Sequence, residues 1–240
     1  MTTILSLDTT SKFASISIAR GDTIQQEYNF ATRDEVSASL IPSLEFVLNS
    51  SGLKLGDIDV FGIGIGPGLF TGIRVGLASL KGLLLAEPKP VVPVITLEAL
   101  AYKHVDPASA SVSIIDARRE EVYMAAYRFA AQNLQMEEVL SPGLFSLHQL
   151  KEHLAPLGNV HFVGSGAEAY RSFLKQNFKL SKIHQRSFFL ASEMCKIAYS
   201  HYIKKDYITD LQQLLPFYIR KPDAETNYSA NPGPNPAGSP

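Results

Sequence analysis

Two short runs place an acid at a position where it could do chemistry. Asp8-Thr9-Thr10 closes an apolar run, Ile4-Leu5-Ser6-Leu7, and Asp116-Ala117-Arg118 closes another, Val112-Ser113-Ile114-Ile115. A carboxylate with neighbouring hydroxyls can orient a metal-bound water or a nucleotide phosphate; a lone strand-end Asp more often only forms a turn. Gly66-Pro67-Gly68-Leu69-Phe70-Thr71-Gly72 could cradle a phosphate at a helix N-terminus. It is neither a P-loop, since no Lys-Ser/Thr follows, nor a dinucleotide fingerprint, since Pro67 interrupts the turn and the third glycine is missing. Gly164-Ser165-Gly166 is a second glycine turn. The histidines, His104, His148, His153, His161, His184 and His201, have no metal-ligand spacing, so no metal site is expected. No Ser or Cys sits in a nucleophile elbow, so no catalytic residue is assigned.

The elements that must position these groups form two similar halves. Strands are expected at Ile4–Leu7, Phe13–Ala19 and Thr23–Phe30, joined by turns such as Arg20-Gly21-Asp22. A helix over 35–49 follows, then a strand at Val60–Ile65, a helix capped by Thr71 and running to Leu85, a strand at Val91–Ile95, and a short helix capped by Thr96. The second half repeats the order: strands at Val112–Ile115, Val122–Phe129 and, more weakly, 134–140, a helix at Ser146–Leu154, a strand at Val160–Val163, then helices at Glu168–Asn177 and Leu190–Ile203. Asp8 and Asp116 lie 108 residues apart (116 − 8) at equivalent places. The expected architecture is α/β, with duplicated β-β-β-α-β-α lobes over residues 1–105 and 106–222 and a cleft between them. The segment 223–240 is rich in Pro, Asn, Gly and Ser and is expected to be a disordered tail.

Charge and composition narrow the function classes. Lys+Arg number 22 against 23 Asp+Glu, a net charge of -1, so the chain alone is not expected to bind tRNA or other nucleic acid tightly. The start reaches Asp8 without a basic segment, and no apolar run has membrane length, so no membrane role and a cytoplasmic location are expected. The single cysteine, Cys195, excludes an internal disulfide.

The stretch around the first glycine turn is unusual. In FGIGIG (61–66) apolar residues alternate with glycine, leaving one strand face bare for close approach by a helix, a ligand or another chain. The following helix is apolar nearly all round: Ile73, Leu77, Leu80 and Leu84 form one stripe, Gly72, Gly76, Ser79 and Leu83 a second, Val75, Ala78, Gly82 and Leu85 a third. With the preceding helix it reads either as buried core or as a docking face. The expected docking residues are Leu40, Leu44, Phe46 and Val47 on the first helix and Gly72, Ile73, Arg74, Gly76, Ser79 and Leu80 on the second, with Gly76 at the point of closest approach.

Asp8-Thr9-Thr10, Leu40-Ile41-Pro42, GPGLFTGIR (66–74), Asp116-Ala117-Arg118 with Glu121-Val122-Tyr123, and Pro216-Phe217-Tyr218-Ile219-Arg220 resemble the TsaB (YeaZ) family over about residues 1–221. The resemblance implies the two-lobed actin/Hsp70-like ATPase (ribonuclease H-like) fold. It also implies a role in forming N6-threonylcarbamoyladenosine at position 37 of tRNA. TsaB-like proteins pair with the metal-bearing TsaD-type transferase and with the TsaE-type ATPase and are thought not to carry the catalysis. Relative to the family, Leu69 replaces the usual Ser and Val36 a frequent His; both weaken a nucleotide or metal site. The His-x-x-x-His pair of the catalytic relatives is missing. No cofactor is expected in the isolated chain, ATP or ADP being ligands of the complex through Asp8, Thr9, Thr10, Asp116, Gly164 and Gly166. Homodimer and heterodimer both stay open. An active ATPase or kinase of the same fold is the alternative; a peptidase, an older label for this group, lacks its motif.

Overall fold

The computed structural model describes residues 1–31, 36–132, 135–185 and 188–220. The expected tail at 223–240 lies outside the described residues. Two five-stranded sheets share one topology. The first contains β1 (Thr3–Asp8), β2 (Phe13–Arg20), β3 (Thr23–Ala31), β4 (Val60–Gly66) and β5 (Val91–Ile95), in the order β3-β2-β1-β4-β5. The second contains β6 (Ala110–Asp116), β7 (Glu121–Phe129), β8 (Met136–Ser146), β9 (Val160–Val163) and β10 (Lys182–His184), in the order β8-β7-β6-β9-β10. In each sheet the first three strands are an antiparallel meander, and the fourth and fifth run parallel to the first. This is the duplicated arrangement expected from the sequence.

Helices α1 (Val36–Ser50) and α2 (Phe70–Ala86) cover the outer face of the first sheet. Helices α4 (Leu150–Leu154), α5 (Ser165–Ala169) and α6 (Arg171–Asn177) cover the outer face of the second. Helices α3 (Thr96–Ala101) and α7 (Ala191–Ile203) fill the space between the sheets, where Leu97, Leu100, Met194, Cys195 and Ile197 form one core with Val92, Val94, Tyr127 and Phe129.

α7 does not stay with the second half. It packs on β1, β2, β4 and β5 of the first sheet. Small side chains make room for it there: Ser6, Ser15 and Ser17 are buried on neighbouring strands. A Cβ at Gly62 would meet Ala198 Cβ at 3.1 Å, and one at Gly64 would meet Met194 Cε at 2.9 Å. The bare face of FGIGIG is therefore the bed of α7. Ser15 Oγ accepts the N–H groups of Leu190 (3.2 Å) and Ala191 (3.0 Å), so a residue 175 positions away caps this helix.

Local differences from the sequence reading have local causes. Helix α2 begins at Phe70 with Leu69 at its N-cap, and Thr71 lies exposed within the first turn. Helix α3 begins at Thr96 itself. The expected 146–154 helix is a 3-10 turn (Leu147–Gln149) followed by α4. The 168–177 helix starts earlier and divides at Tyr170, whose φ of -107° and ψ of 26° leave the helical region. β8 runs on to Ser146 through Pro142 and Gly143, since an edge strand tolerates proline, and β10 is an additional three-residue edge.

Candidate functional site

The two strand-end turns meet a cleft of about 850 Å³ between the lobes. Its walls include Thr10, Lys12 and Phe70 from the first half, Asp116, Arg118, Ser165 and Glu168 from the second, and Tyr218 and Arg220 from the C-terminal segment.

The first turn is closed. Asp8 is 0% exposed. Its Oδ1 accepts from the Thr10 N–H (2.9 Å) and Thr10 Oγ1 (2.7 Å), while Oδ2 has no hydrogen-bond partner among the described residues. Burial pushes the carboxyl up to about 6, against the lowering effect of the Thr10 hydrogen bonds. Around it, the loop that follows β4 clasps the turn. Leu69 N–H donates to the Thr10 carbonyl at 2.6 Å, and Thr9 Oγ1 donates to the Gly72 carbonyl at 2.8 Å. A Cβ would stand 2.1 Å from Thr10 O at Gly68, 2.0 Å from Thr9 O at Gly72 and 2.2 Å from Thr9 Oγ1 at Gly76. The glycine stripe of α2 is thus a notch for the Asp8-Thr9-Thr10 turn.

That geometry corrects the docking expectation. Gly72 and Gly76 face their own chain, and Leu40, Leu44, Val47, Ile73 and Leu80 are buried in the first lobe's outer core. Ser79 is half-buried and Arg74 exposed. Phe46 (54% exposed) does face outward as expected, and the rest of the outward apolar surface of these helices comes from Ile41 (42%) and Leu85 (79%), together with exposed Ala78 and Gly82. A Cβ at Gly82 meets nothing within 4 Å among the described residues.

The second turn is open. Asp116 is exposed, and its Oδ1 accepts from the Arg118 N–H (2.8 Å) and the Tyr170 hydroxyl (2.9 Å). Arg118, Arg119 and Glu120 all have φ near +60°, a conformation that costs non-glycine residues energy, and Arg118 lines the cleft. Gly164 and Gly166 serve packing: a Cβ would meet Ile114 O at 2.4 Å and Ile114 Cγ2 at 2.4 Å, respectively. Of the residues expected around a nucleotide, Thr10 and Asp116 line the cleft, while Asp8, Thr9, Gly164 and Gly166 lie behind it.

The C-terminal segment completes the cleft and crosses between lobes. Phe217 N–H donates to the Ile65 carbonyl at 2.8 Å. Tyr218 stacks on Phe70 at 4.9 Å and accepts from Arg74 Nε at 3.1 Å. Arg220 pairs with Glu121 and donates to the Ala117 carbonyl at 3.2 Å. Cys195 is buried against α7's bed, and burial pushes its thiol up to about 11, so it is no ready nucleophile. One grouping had no signal in the sequence: His104, His161 and His184 come together at the edge of the second sheet.

The comparisons with known proteins match this arrangement. A family profile described as "TsaD: tRNA N6-adenosine threonylcarbamoyltransferase" matches residues 31–230. The tRNA threonylcarbamoyladenosine biosynthesis protein TsaB of Haemophilus influenzae is 30% identical, over 96% of this chain and 98% of that one. The protein of the same name from Escherichia coli is 29% identical over 72% of this chain and 76% of its own length. The solved structure of YeaZ from Pseudomonas aeruginosa superposes with a TM-score of 0.77 at 23% identity, covering 91% of this chain and all of that one. A ROK family protein from Streptococcus pneumoniae shares the two-lobed fold at a TM-score of 0.51 and 11% identity, over 85% of this chain and 99% of that one. The duplicated sheets are those of the actin/Hsp70-like ATPase fold, and the chain belongs to the TsaB family, within the wider group that the TsaD profile describes.

Proposed function

We propose that the chain is a non-catalytic partner of a TsaD-type threonylcarbamoyltransferase in the formation of N6-threonylcarbamoyladenosine in tRNA. The observation that carries the non-catalytic part is the closed first turn. A phosphate or metal ion approaching Asp8 would have to displace the loop carrying Leu69 N–H and Gly68 and the first turns of α2 carrying Gly72 and Gly76, which already occupy that turn. The partner part rests on family membership and on the outward apolar surface at Ile41, Ala78, Gly82 and Leu85. A TsaE-type ATPase joins the complex, tRNA is met only through it, and the chain self-associates when alone. The chain works on tRNA in the cytoplasm, a reading that rests on the TsaB relatives; no helix among the described residues is long and apolar enough to cross a membrane.

The test is reconstitution with a TsaD-type paralogue, a TsaE-type ATPase and tRNA. Gly82→Leu leaves the monomer folded, because the site is open and helix propensity rises by up to about 1 kcal/mol. The same change abolishes co-purification with the TsaD-type protein and stops modification. Asp8→Asn leaves modification intact. Steady ATP turnover by the isolated chain that disappears in Asp8→Asn would instead identify an enzyme.

A second reading concerns the cleft itself. Lys12, Arg118 and Arg220 line it, which suits a nucleotide held between the lobes in the complex. Binding of a fluorescent ADP analogue by the complex, weakened in Arg118→Ala, is the expected result; equal binding by the variant removes the reading.

A further inference from the structure

The chain brings three histidines together from positions 57 and 23 residues apart (161 − 104 and 184 − 161). His104 follows α3, fixed by a hydrogen bond from its N–H to the Ala101 carbonyl at 3.0 Å. His161 lies on β9, in register with Ser111 of β6 and Lys182 of β10. His184 is two residues beyond Lys182, so it shares the sheet face of His161. His161 Nδ1 is 2.5 Å from His104 Nε2 and 3.1 Å from His184 Nε2. The rings of His104 and His184 stack at 3.9 Å, and all three side chains are half-buried.

Protons serve this arrangement poorly. A neutral imidazole nitrogen carries either one hydrogen or one lone pair, so His161 Nδ1 can make a good bond to one of its two neighbours and not to both. Charging two of the rings would place like charges about 3 Å apart in a half-buried site, which is costly. One cation facing three lone pairs satisfies all three nitrogens at once. Imidazole sets select borderline transition ions over Mg²⁺ or Ca²⁺. Around tetrahedral zinc, bonds of about 2.0–2.1 Å put ligand nitrogens roughly 3.3 Å apart. The candidate ligand atoms here lie within 4.8 Å of one another, so small ring movements reach that spacing.

We propose that His104, His161 and His184 form a binding site for a divalent transition ion of the zinc class. The fourth position falls to water or to Asp106, whose Oδ2 is 3.9 Å from His104 Nε2 and which also accepts from Ala108 N–H and Ser109 Oγ. The ion ties the segment between α3 and β6, where the chain passes from one sheet to the other, to β9 and the edge strand β10. Its role is a brace on the second lobe, separate from the interlobe cleft.

The experiment uses the full chain without an affinity tag. Co²⁺ titration is followed by visible absorption, and Zn²⁺ titration by calorimetry and melting. The expected result is one ion per chain, the d–d absorption of a four-coordinate nitrogen site, and a melting temperature raised by roughly 5 °C or more at saturating Zn²⁺. His161→Ala should lower affinity by about 100-fold or more, and His184→Asn serves if the first variant fails to fold. His148→Ala, at an exposed position outside the cluster, should bind as the parent does. Absence of the Co²⁺ absorption overturns the proposal. So does binding that survives His161→Ala and His184→Asn but is lost in His201→Ala, which would place the ion near Glu98 and Asp206.

Discussion

The Asp8 turn and the Asp116 turn occupy the same topological place and have opposite surroundings. Each ends the first strand of a five-stranded sheet and precedes a hairpin. After β4 the chain enters a helix of 17 residues whose glycine notch closes over Thr9 and Thr10. After β9 it enters a helix of 5 residues; Gly164 at its N-cap and Gly166 within it pack against Ile114 of β6, and Asp116 faces the cleft. Duplication copied the strand order, and the length and glycine spacing of one helix then decided which acid meets solvent. Equivalent position in a repeated fold therefore does not imply equivalent chemistry.

The most damaging way to break this contrast is to fill the notch. In Gly72→Ala the new carbon would sit 2.0 Å from a backbone oxygen, which cannot rotate away. The expected loss is about 3 kcal/mol or more, read as a melting temperature lower by roughly 6–12 °C. An unchanged melt would mean that the notch is loose and the first turn open.

The next effect is on pH. Folded, Asp8 keeps its proton up to about pH 6; the unfolded chain releases it near 3.8. Between those values the native state holds more protons, so this residue's contribution to stability falls as pH rises from about 4 to 6, and the loss is complete above 6. Asp8→Asn removes that slope and stabilises the chain at pH 7 by up to about 3 kcal/mol. Denaturant titrations of both chains at pH 4.5 and pH 7 measure it. A variant that is less stable at pH 7 would show that the ionised carboxylate has a partner.

A smaller effect sharpens the open side. Arg220→Ala removes the ties to Glu121 and to the Ala117 carbonyl from a partly exposed position. It is expected to cost about 1 kcal/mol and to speed amide exchange in 117–121 while leaving the Asp8 turn protected. Equal loosening of both turns would show that the C-terminal segment couples them. Least of all should Asp116→Asn disturb the fold, within about 0.5 kcal/mol. Desolvation and the hydrogen bond to Asp116 hold the Tyr170 phenol above its ordinary range. The variant therefore shifts its ultraviolet titration to lower pH.

Much of the fold was legible because strand-end acids, alternating glycines and helix stripes are local signals. The glycines of β4 announced a bare face, and the Ile73-Leu77-Leu80-Leu84 stripe announced a buried one; both are so. The missing information was the partner of each face. Nothing local says that α7 would return to the first sheet. Ser6 on β1 and Ser15 and Ser17 on β2, read together with Gly62 and Gly64, mark a trough across three strands that a helix could fill. Gly76 looked available because a helical wheel shows which way a residue faces and not what stands there. The histidines were invisible for the same reason: their spacing follows from strand register, and β10, with only three residues, gives no periodic pattern to read.

The course of α7 sets the order in which this protein can be completed on the ribosome. All five strands of the first sheet have been synthesised once Ile95 emerges, but their inner face waits for Ala191–Ile203. Throughout that interval the trough of serines and glycines is open to water or to any helix that passes. Residues 217–220 then bind to Ile65, Phe70 and Arg74 on one side and to Glu121 on the other. Folding of the first lobe therefore waits for the second half, and a nascent chain stalled before Ala191 presents an unfinished sheet to chaperones.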